Sequence, residues 1–397
     1  MPGNWTNPKV IAAMIVVVLL IGFGTGYLTA TYTIQPTSSK QPISIGLVLG
    51  LSGRYSYGAQ QALSGARMAI QEINDGGGVL GRPLELIAED DRGVVADTVS
   101  GANKLIDVNG VHYLLSTGAS GGTLAIMPIA LEKKVVLLNF MTSSPAITNQ
   151  SGIGGNPWTF TLCPDEFAYA RAFASLVNTS EIPANSFSFL AYDMAWGRDA
   201  CAAYVQYIEA AGGTITSTNF YDPASTEFTT ILTKIKAENP GGIITMTTTE
   251  SLLIILKQAN ELGITLPVYN RAVGLGPALI ASGGNLTEGL YGMDPWYAVV
   301  NTTANTEFLQ KFKLFSGTVP EQYWPWSAYE TIHALGEAIQ KAGSDDAEAV
   351  RTALTTIDMP SATGGSIKFD EHNAAHNYVF IAKIRNQQVT IVTQGPG

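Results

Sequence analysis

The 397-residue chain is poor in charge: Asp, Glu, Lys and Arg together make up 14% of it, against about 25% in ordinary soluble proteins. Its 22 basic residues are scattered, with no long Lys/Arg cluster, which argues against a nucleic-acid partner. There are only two cysteines, Cys163 and Cys201. They leave room for one disulfide, which an extracytoplasmic setting would allow, or for two free, partly buried thiols. Histidine is scarce as well, at four residues. His372 and His376 stand beside Asp370 and Glu371, but no third ligand is placed by the sequence, so this segment reads as a solvated turn. No metal and no cofactor are expected.

Long apolar runs are also rare. The one present, residues 10–30, is almost uncharged. About 20 apolar residues span a bilayer, so the run reads as a membrane anchor, or as a signal peptide if it is cleaved. Lys9 and the N-terminal amine place positive charge before it, which favours an N-terminus inside the cell. Residues 29–42, rich in Thr, Ser, Gln and Pro, read as a stalk. Sequons at Asn149, Asn178, Asn285 and Asn301 are compatible with an external surface. The expected location is therefore extracytoplasmic and membrane-anchored, or secreted after cleavage.

What is plentiful is apolar residue, 46% of the chain, arranged in alternating short runs and amphipathic stretches. Residues 43–49 form an apolar strand, and a small-residue loop, Gly50 to Gly58, follows. Ala62, Ala66, Ala69 and Ile73 then recur at helical spacing. A Gly-rich turn leads to a second strand at 83–89. Strand and helix patterns continue to alternate through residue 269, with further helices expected at 307–315, 327–342 and 347–355 and strands near 367–369, 379–384 and 389–392. Such alternation implies parallel sheets with helices on both faces. Two series in one chain imply two α/β lobes of similar plan.

In open α/β sheets a ligand binds outside the C-terminal strand ends. Those ends carry residues 52–57, 117–123 and 141–144 in the first series, and 192–197, 247–250 and 270–272 in the second. Most are small hydroxyl or aromatic side chains. Hydroxyls and free backbone N–H groups can hold a carboxylate or amide, and aromatics wall off an apolar part. Ser120 opens a helix, where an anion is favoured. The same Ser and Thr residues also suit plain helix capping.

The opening unit resembles the N-terminus of the type I periplasmic-binding-protein family, of the branched-chain amino-acid (Leu/Ile/Val) receptor type. The resemblance rests on Leu51-Ser52-Gly53, Tyr57-Gly58, Gly65-Ala66, Ala69, Ile73-Asn74, Gly76-Gly77, Gly81 and Asp90-Asp91. It implies a hinged, two-lobed α/β fold whose chain crosses between lobes near Leu162, Tyr291 and His372. The expected division is an anchor and stalk at 1–42, lobe I at 43–162 and 292–372, and lobe II at 163–291 and 373–397. It also implies a non-catalytic, solute-binding component of an ABC importer, with a membrane permease as partner. Residue by residue, Ser120 and Ser143 match positions that bind a ligand's α-carboxylate and α-amino groups. Met141 matches one that offers its backbone carbonyl, and Tyr57 and Trp196 match flanking aromatics. Thr248 stands where amino-acid receptors usually carry an aromatic. Ala272 stands near the place of a carboxylate that would pair with the ligand's ammonium. A buried ammonium without a counter-charge is costly, so either Glu250 or Asp193 substitutes, or the ligand is an amide, a urea-like compound or a carboxylate. An anion paired with Arg271 is one form of that expectation; a solvated Arg271 is the alternative.

Rival readings remain. A ligand-sensing receptor of the same fold is expected to continue into a signalling domain, whereas this chain ends at Gly397. Gly118-Ala119-Ser120-Gly121-Gly122 fits the G-x-S-x-G nucleophile elbow of hydrolases, with His333, His372 and His376 downstream; His333 sits in a helical pattern that suits packing. Gly76 to Gly81 fits G-x-G-x-x-G, but a helix precedes it and a strand follows, the reverse of a dinucleotide site. Trp324 and Trp326 either line the cleft or pack beneath the helix that follows.

Overall fold

The computed structural model describes residues 41–116, 118–271 and 274–396. The apolar run at 10–30 and nearly all of the stalk lie outside the described residues, as does Ala272. Among the described residues no helix is long and apolar enough to cross a membrane.

In chain order, β1 (Ile43–Leu49) leads into α1 (Ser56–Asp75), then β2 (Leu84–Asp90) and α2 (Val95–Asn103). Next come β3 (Tyr113–Leu115), α3 (Ser120–Lys133), β4 (Val136–Asn139), α4 (Pro145–Asn149) and β5 (Thr159–Thr161). The second series runs α5 (Glu166–Ala174), β6 (Ser186–Tyr192), α6 (Ala195–Ala210), β7 (Thr214–Tyr221) and α7 (Thr229–Glu238). It continues with β8 (Gly242–Met246), α8 (Thr249–Glu261), β9 (Val268–Arg271), α9 (Pro277–Gly283) and β10 (Tyr291–Asp294). The chain then forms α10 (Thr303–Ser316), α11 (Trp324–Ala342), α12 (Ala347–Leu354), β11 (Met359–Pro360), β12 (Ser366–Ile367), β13 (Tyr378–Arg385) and β14 (Gln388–Pro396).

The first sheet is ordered β2-β1-β3-β4-β5 and is parallel throughout, with Leu47 of β1 facing Leu115 of β3. Successive residues of a strand point to opposite faces. Leu47 and Leu49 therefore join Leu138, Phe160 and the helix residues Ala62, Ala66 and Ile332, while Val48 joins Leu114, Leu137 and Ile126 on the other side. Burial on both faces explains the nearly unbroken apolar strands. On the first of these faces α1 lies so close to α11 that a Cβ at Gly65 would collide with the Pro325 carbonyl.

The second sheet is ordered β14-β13-β10-β9-β8-β6-β7. Its β10, β9, β8, β6 and β7 are parallel, and β13 and β14 add antiparallel at one edge. Phe187, Phe189, Ile244 and Tyr269 fill one face, and Leu190, Ile243 and Leu232 fill the other.

β10 pairs with β9 and β13, so residues 291–294 belong to the second sheet. Ala374 bridges to Thr161, beside the first sheet, and Ala375 bridges to Phe369. Tyr291–Asp294 and Pro277–Gly283 were not legible as elements because they are only four and seven residues long. The Gly76–Gly81 segment closes α1 and opens β2 through a Val79–Arg82 bridge, a turn as its reversed context implies.

Candidate functional site

The C-terminal ends of the parallel strands in both sheets open onto one cavity of about 300 Å³. That is the lower end of the range for small-molecule sites, about 300–1,000 Å³. Tyr57, Ser120, Met141, Ser143, Trp196, Thr248 and Arg271 all line it. So do Tyr55, Tyr192, Glu250, Gln322, Tyr323 and Trp324.

Each wall has a local cause. Ser120 is the first residue of α3, and Ala119 before it is extended; Ala119, Ser120 and Gly121 line the cavity, which places the start of that helix at its wall. β4 ends at Asn139, whose side chain gathers the next loop. Its amide donates to the Thr142 carbonyl at 2.8 Å, and its oxygen accepts from the Thr142 hydroxyl at 2.8 Å. That turn carries Met141 and Ser143. Thr248 caps α8, and its backbone N–H donates to the Tyr192 hydroxyl at 3.0 Å. Tyr57 stands 62% exposed at the mouth, its hydroxyl accepting from Gln61 at 3.2 Å.

Several side chains named from the strand ends are spent elsewhere. The Ser52 hydroxyl donates to Asp90 at 2.6 Å and is absent from the lining. The Met141 carbonyl accepts from the Tyr323 hydroxyl at 2.6 Å, which leaves one lone pair for a ligand. Asp193 pairs with Arg198 at 2.6 Å on the surface. Glu250, in the first turn of α8, is the acid that lines the cavity.

The floor is a buried charge cluster. Arg271, 2% exposed, is not the solvated residue of the alternative reading. Its guanidinium lies 3.2 Å from Glu166 and 3.5 Å from Asp294, stacks 3.5 Å above the Tyr169 ring, and donates to the Ser143 hydroxyl at 2.9 Å. Burial opposes the Arg271 charge, but Glu166 and its other partners outweigh that and hold its pKa well above the ordinary value. Burial raises the Glu166 carboxyl, with Arg271 and the Trp196 indole pulling the other way. Asp294 is pushed up to about 7 by burial, with Arg271 opposing and Glu166 adding to the rise. Glu166 Oε2, Arg271 Nε and the Tyr169 hydroxyl have no hydrogen-bond partner within the described residues.

Sequence reasoning missed Glu166, Asp294 and Tyr323. Glu166 opens α5, away from any strand end, and Asp294 ends β10, a parallel strand too short to be read from the sequence. The aromatic pair divides: Trp324 lines the cavity and Trp326 is buried. The histidines of the hydrolase reading sit elsewhere, His333 3.7 Å from Glu72 and His376 2.9 Å from Asp370. Among the described residues no three His, Cys, Asp or Glu side chains are grouped to hold a metal. Both cysteines are free and buried; burial raises Cys163 to about 12 and Cys201 to about 11.

A family profile described as "Periplasmic binding protein" matches residues 42–388. The chain belongs to the periplasmic binding protein family. This periplasmic binding protein is 24% identical over 355 residues to the Leu/Ile/Val-binding protein BraC3 of Rhizobium johnstonii, covering 86% of this chain and 90% of that one. Its fold superposes on the leucine binding protein LivK of Thermotoga maritima with a TM-score of 0.79, at 23% identity, covering 89% of this chain and 98% of that one. A solute binding protein of an R. palustris ABC transporter, solved in complex with benzoate, also gives 0.79, at 16% identity, with 89% and 96% covered. Family members of this kind are solute-binding proteins rather than enzymes.

Proposed function

We propose that this protein is the solute-binding component of an ABC importer. Lobe I spans 43–162 and 295–375, and lobe II spans 163–294 and 376–397. They close on an amino acid or a related small polar ligand, the amide, urea-like and carboxylate classes included. The apolar run at 10–30 would hold the protein outside the membrane, where the closed form meets a permease.

One observation carries the reading. Residues from seven separate strand ends and from the start of α11 converge on a single cavity that offers the start of a helix, serines and aromatic walls. The Ser143 hydroxyl already accepts from Arg271. Its proton can be donated to a ligand carboxylate, and the Arg271 cation beside it disfavours a ligand ammonium there. A carboxylate on an apolar or aromatic body fits Tyr55, Tyr57, Trp196 and Trp324, and the benzoate-bound relative lends weight to that form. An α-amino acid would place its ammonium toward Glu250.

The test is a thermal-shift screen of the full chain with isoleucine, benzoate, acetamide and urea. A true ligand at about 100 times its Kd stabilises by roughly 2.7 kcal/mol. Ser120→Ala and Trp196→Ala should each weaken that shift while leaving the unliganded melting curve in place. Unchanged affinity in both variants would remove the cavity as the binding site. Glu250→Gln separates the classes, since it should weaken isoleucine and spare benzoate.

A further inference from the structure

Glu166 touches two walls of the cavity from beneath without lining it. It opens α5, is 0% exposed, and its backbone N–H donates to the Ser143 carbonyl at 2.8 Å across the lobes. One carboxylate oxygen, Oε1, accepts from the Trp196 indole at 2.8 Å and lies 3.2 Å from Arg271 Nη2. The same Nη2 donates to the Ser143 hydroxyl at 2.9 Å. Three groups from two lobes are thereby referred to one buried oxygen: an aromatic wall, a cation, and, through that cation, a serine proton.

We infer that Glu166 is the positioning residue of the cavity, holding the Trp196 ring and, through Arg271, turning the Ser143 hydroxyl toward a ligand's hydrogen-bond acceptor. The inference rests on the cavity being the ligand site. The physical reason is rigidity. Trp196 is only partly buried, so packing alone does not settle its ring. A hydrogen bond to a carboxylate in a dry environment does, being about twice as strong as a neutral one. Arg271 would otherwise be free to take its charge into the cavity. Between Glu166 and Asp294 it is neutralised, so the floor offers an oriented donor rather than a bare positive charge. That favours a carboxylate-bearing ligand recognised by hydrogen-bond direction.

The test uses the full chain and needs no ligand for its first arm. The Trp196 contribution to tryptophan fluorescence is taken as the difference between the wild type and Trp196→Phe. Glu166→Ala should red-shift that emission, and Glu166→Gln, which keeps an acceptor for the indole, should restore it. An unshifted emission in Glu166→Ala, or an equal shift in both variants, overturns the inference. Where circular dichroism shows that the alanine variant does not fold, Glu166→Asp, one methylene shorter, takes its place with the same expected shift. In the second arm benzoate and isoleucine are titrated calorimetrically. The probe that binds the wild type should bind Glu166→Ala about tenfold or more weakly, with part recovered in Glu166→Gln. Equal affinity in all three again overturns it. If neither probe binds the wild type, the proposed ligand class fails, and the fluorescence arm still decides the role of Glu166.

Discussion

At the scale of single residues, buried acids divide between the site and the scaffold. Glu330, on α11, is 3% exposed and accepts from the Ser361 hydroxyl at 3.0 Å. Burial raises its carboxyl to about 7, with the hydrogen bonds from Ala362 and Ser361 opposing. Its folded pKa therefore exceeds the unfolded value of about 4.3. Between those limits the native state holds more protons than the unfolded state, so stability must fall as pH rises. From pH 4.5 to 7 the loss from this one group is of order 3 kcal/mol. Glu330→Gln removes it, and denaturant titrations at pH 5 and pH 7 should show a smaller drop for the variant. A drop as large as in the wild type would place the titrating group elsewhere. Nothing in the local sequence around Glu330 marks it as buried. It lies on the apolar side of a helix, and only the Ser361–Thr363 turn arriving from later in the chain gives it partners.

At the scale of elements, much was legible. The apolar strand 43–49 and the Ala-rich face of α1 announce a strand and a helix because their periods differ. The reason for small residues on α1 was hidden: Gly58 faces Gln322 and Trp324, and Gly65 faces the Pro325 carbonyl. The close approach of α1 to α11 also seats Trp324 in the cavity. Gly65→Ala should force the helices apart and cost about 1–3 kcal/mol, read as a lower denaturant midpoint with unchanged slope. The same variant should weaken ligand binding, since Trp324 moves with α11. A variant as stable as the wild type would mean that the helices are not locked at this point.

At the scale of the whole molecule, several bonds cross between the lobes. The Ser144 hydroxyl donates to Asp199 at 2.8 Å, Arg271 donates to Ser143, and the Ala278 N–H donates to Glu321 at 3.2 Å. Glu321 lies outside the cavity lining, and Gly276 leaves room for its carboxylate. If hinge closure drives binding, Glu321→Ala should shift the unliganded chain toward an open form and raise its radius of gyration in small-angle X-ray scattering. Ligand should restore the compact value at higher concentration, because affinity falls with the closed fraction. An unchanged radius with and without ligand would exclude a closing hinge. The sequence alone determined the two α/β series, the parallel sheets and the strand-end segments from which Tyr57, Ser120, Met141, Ser143, Trp196, Thr248 and Arg271 reach the cavity, because period and loop composition are local properties. The tertiary structure decided which of those hydroxyls and carbonyls are already engaged. It also brought Glu166, Asp294 and Tyr323 to the floor and turned Arg271 from a free cation into a neutralised strut. Those outcomes depend on pairings between residues far apart in the chain, from Arg271 with Asp294, 23 positions away, to Arg271 with Ser143, 128 away, and no local pattern encodes them.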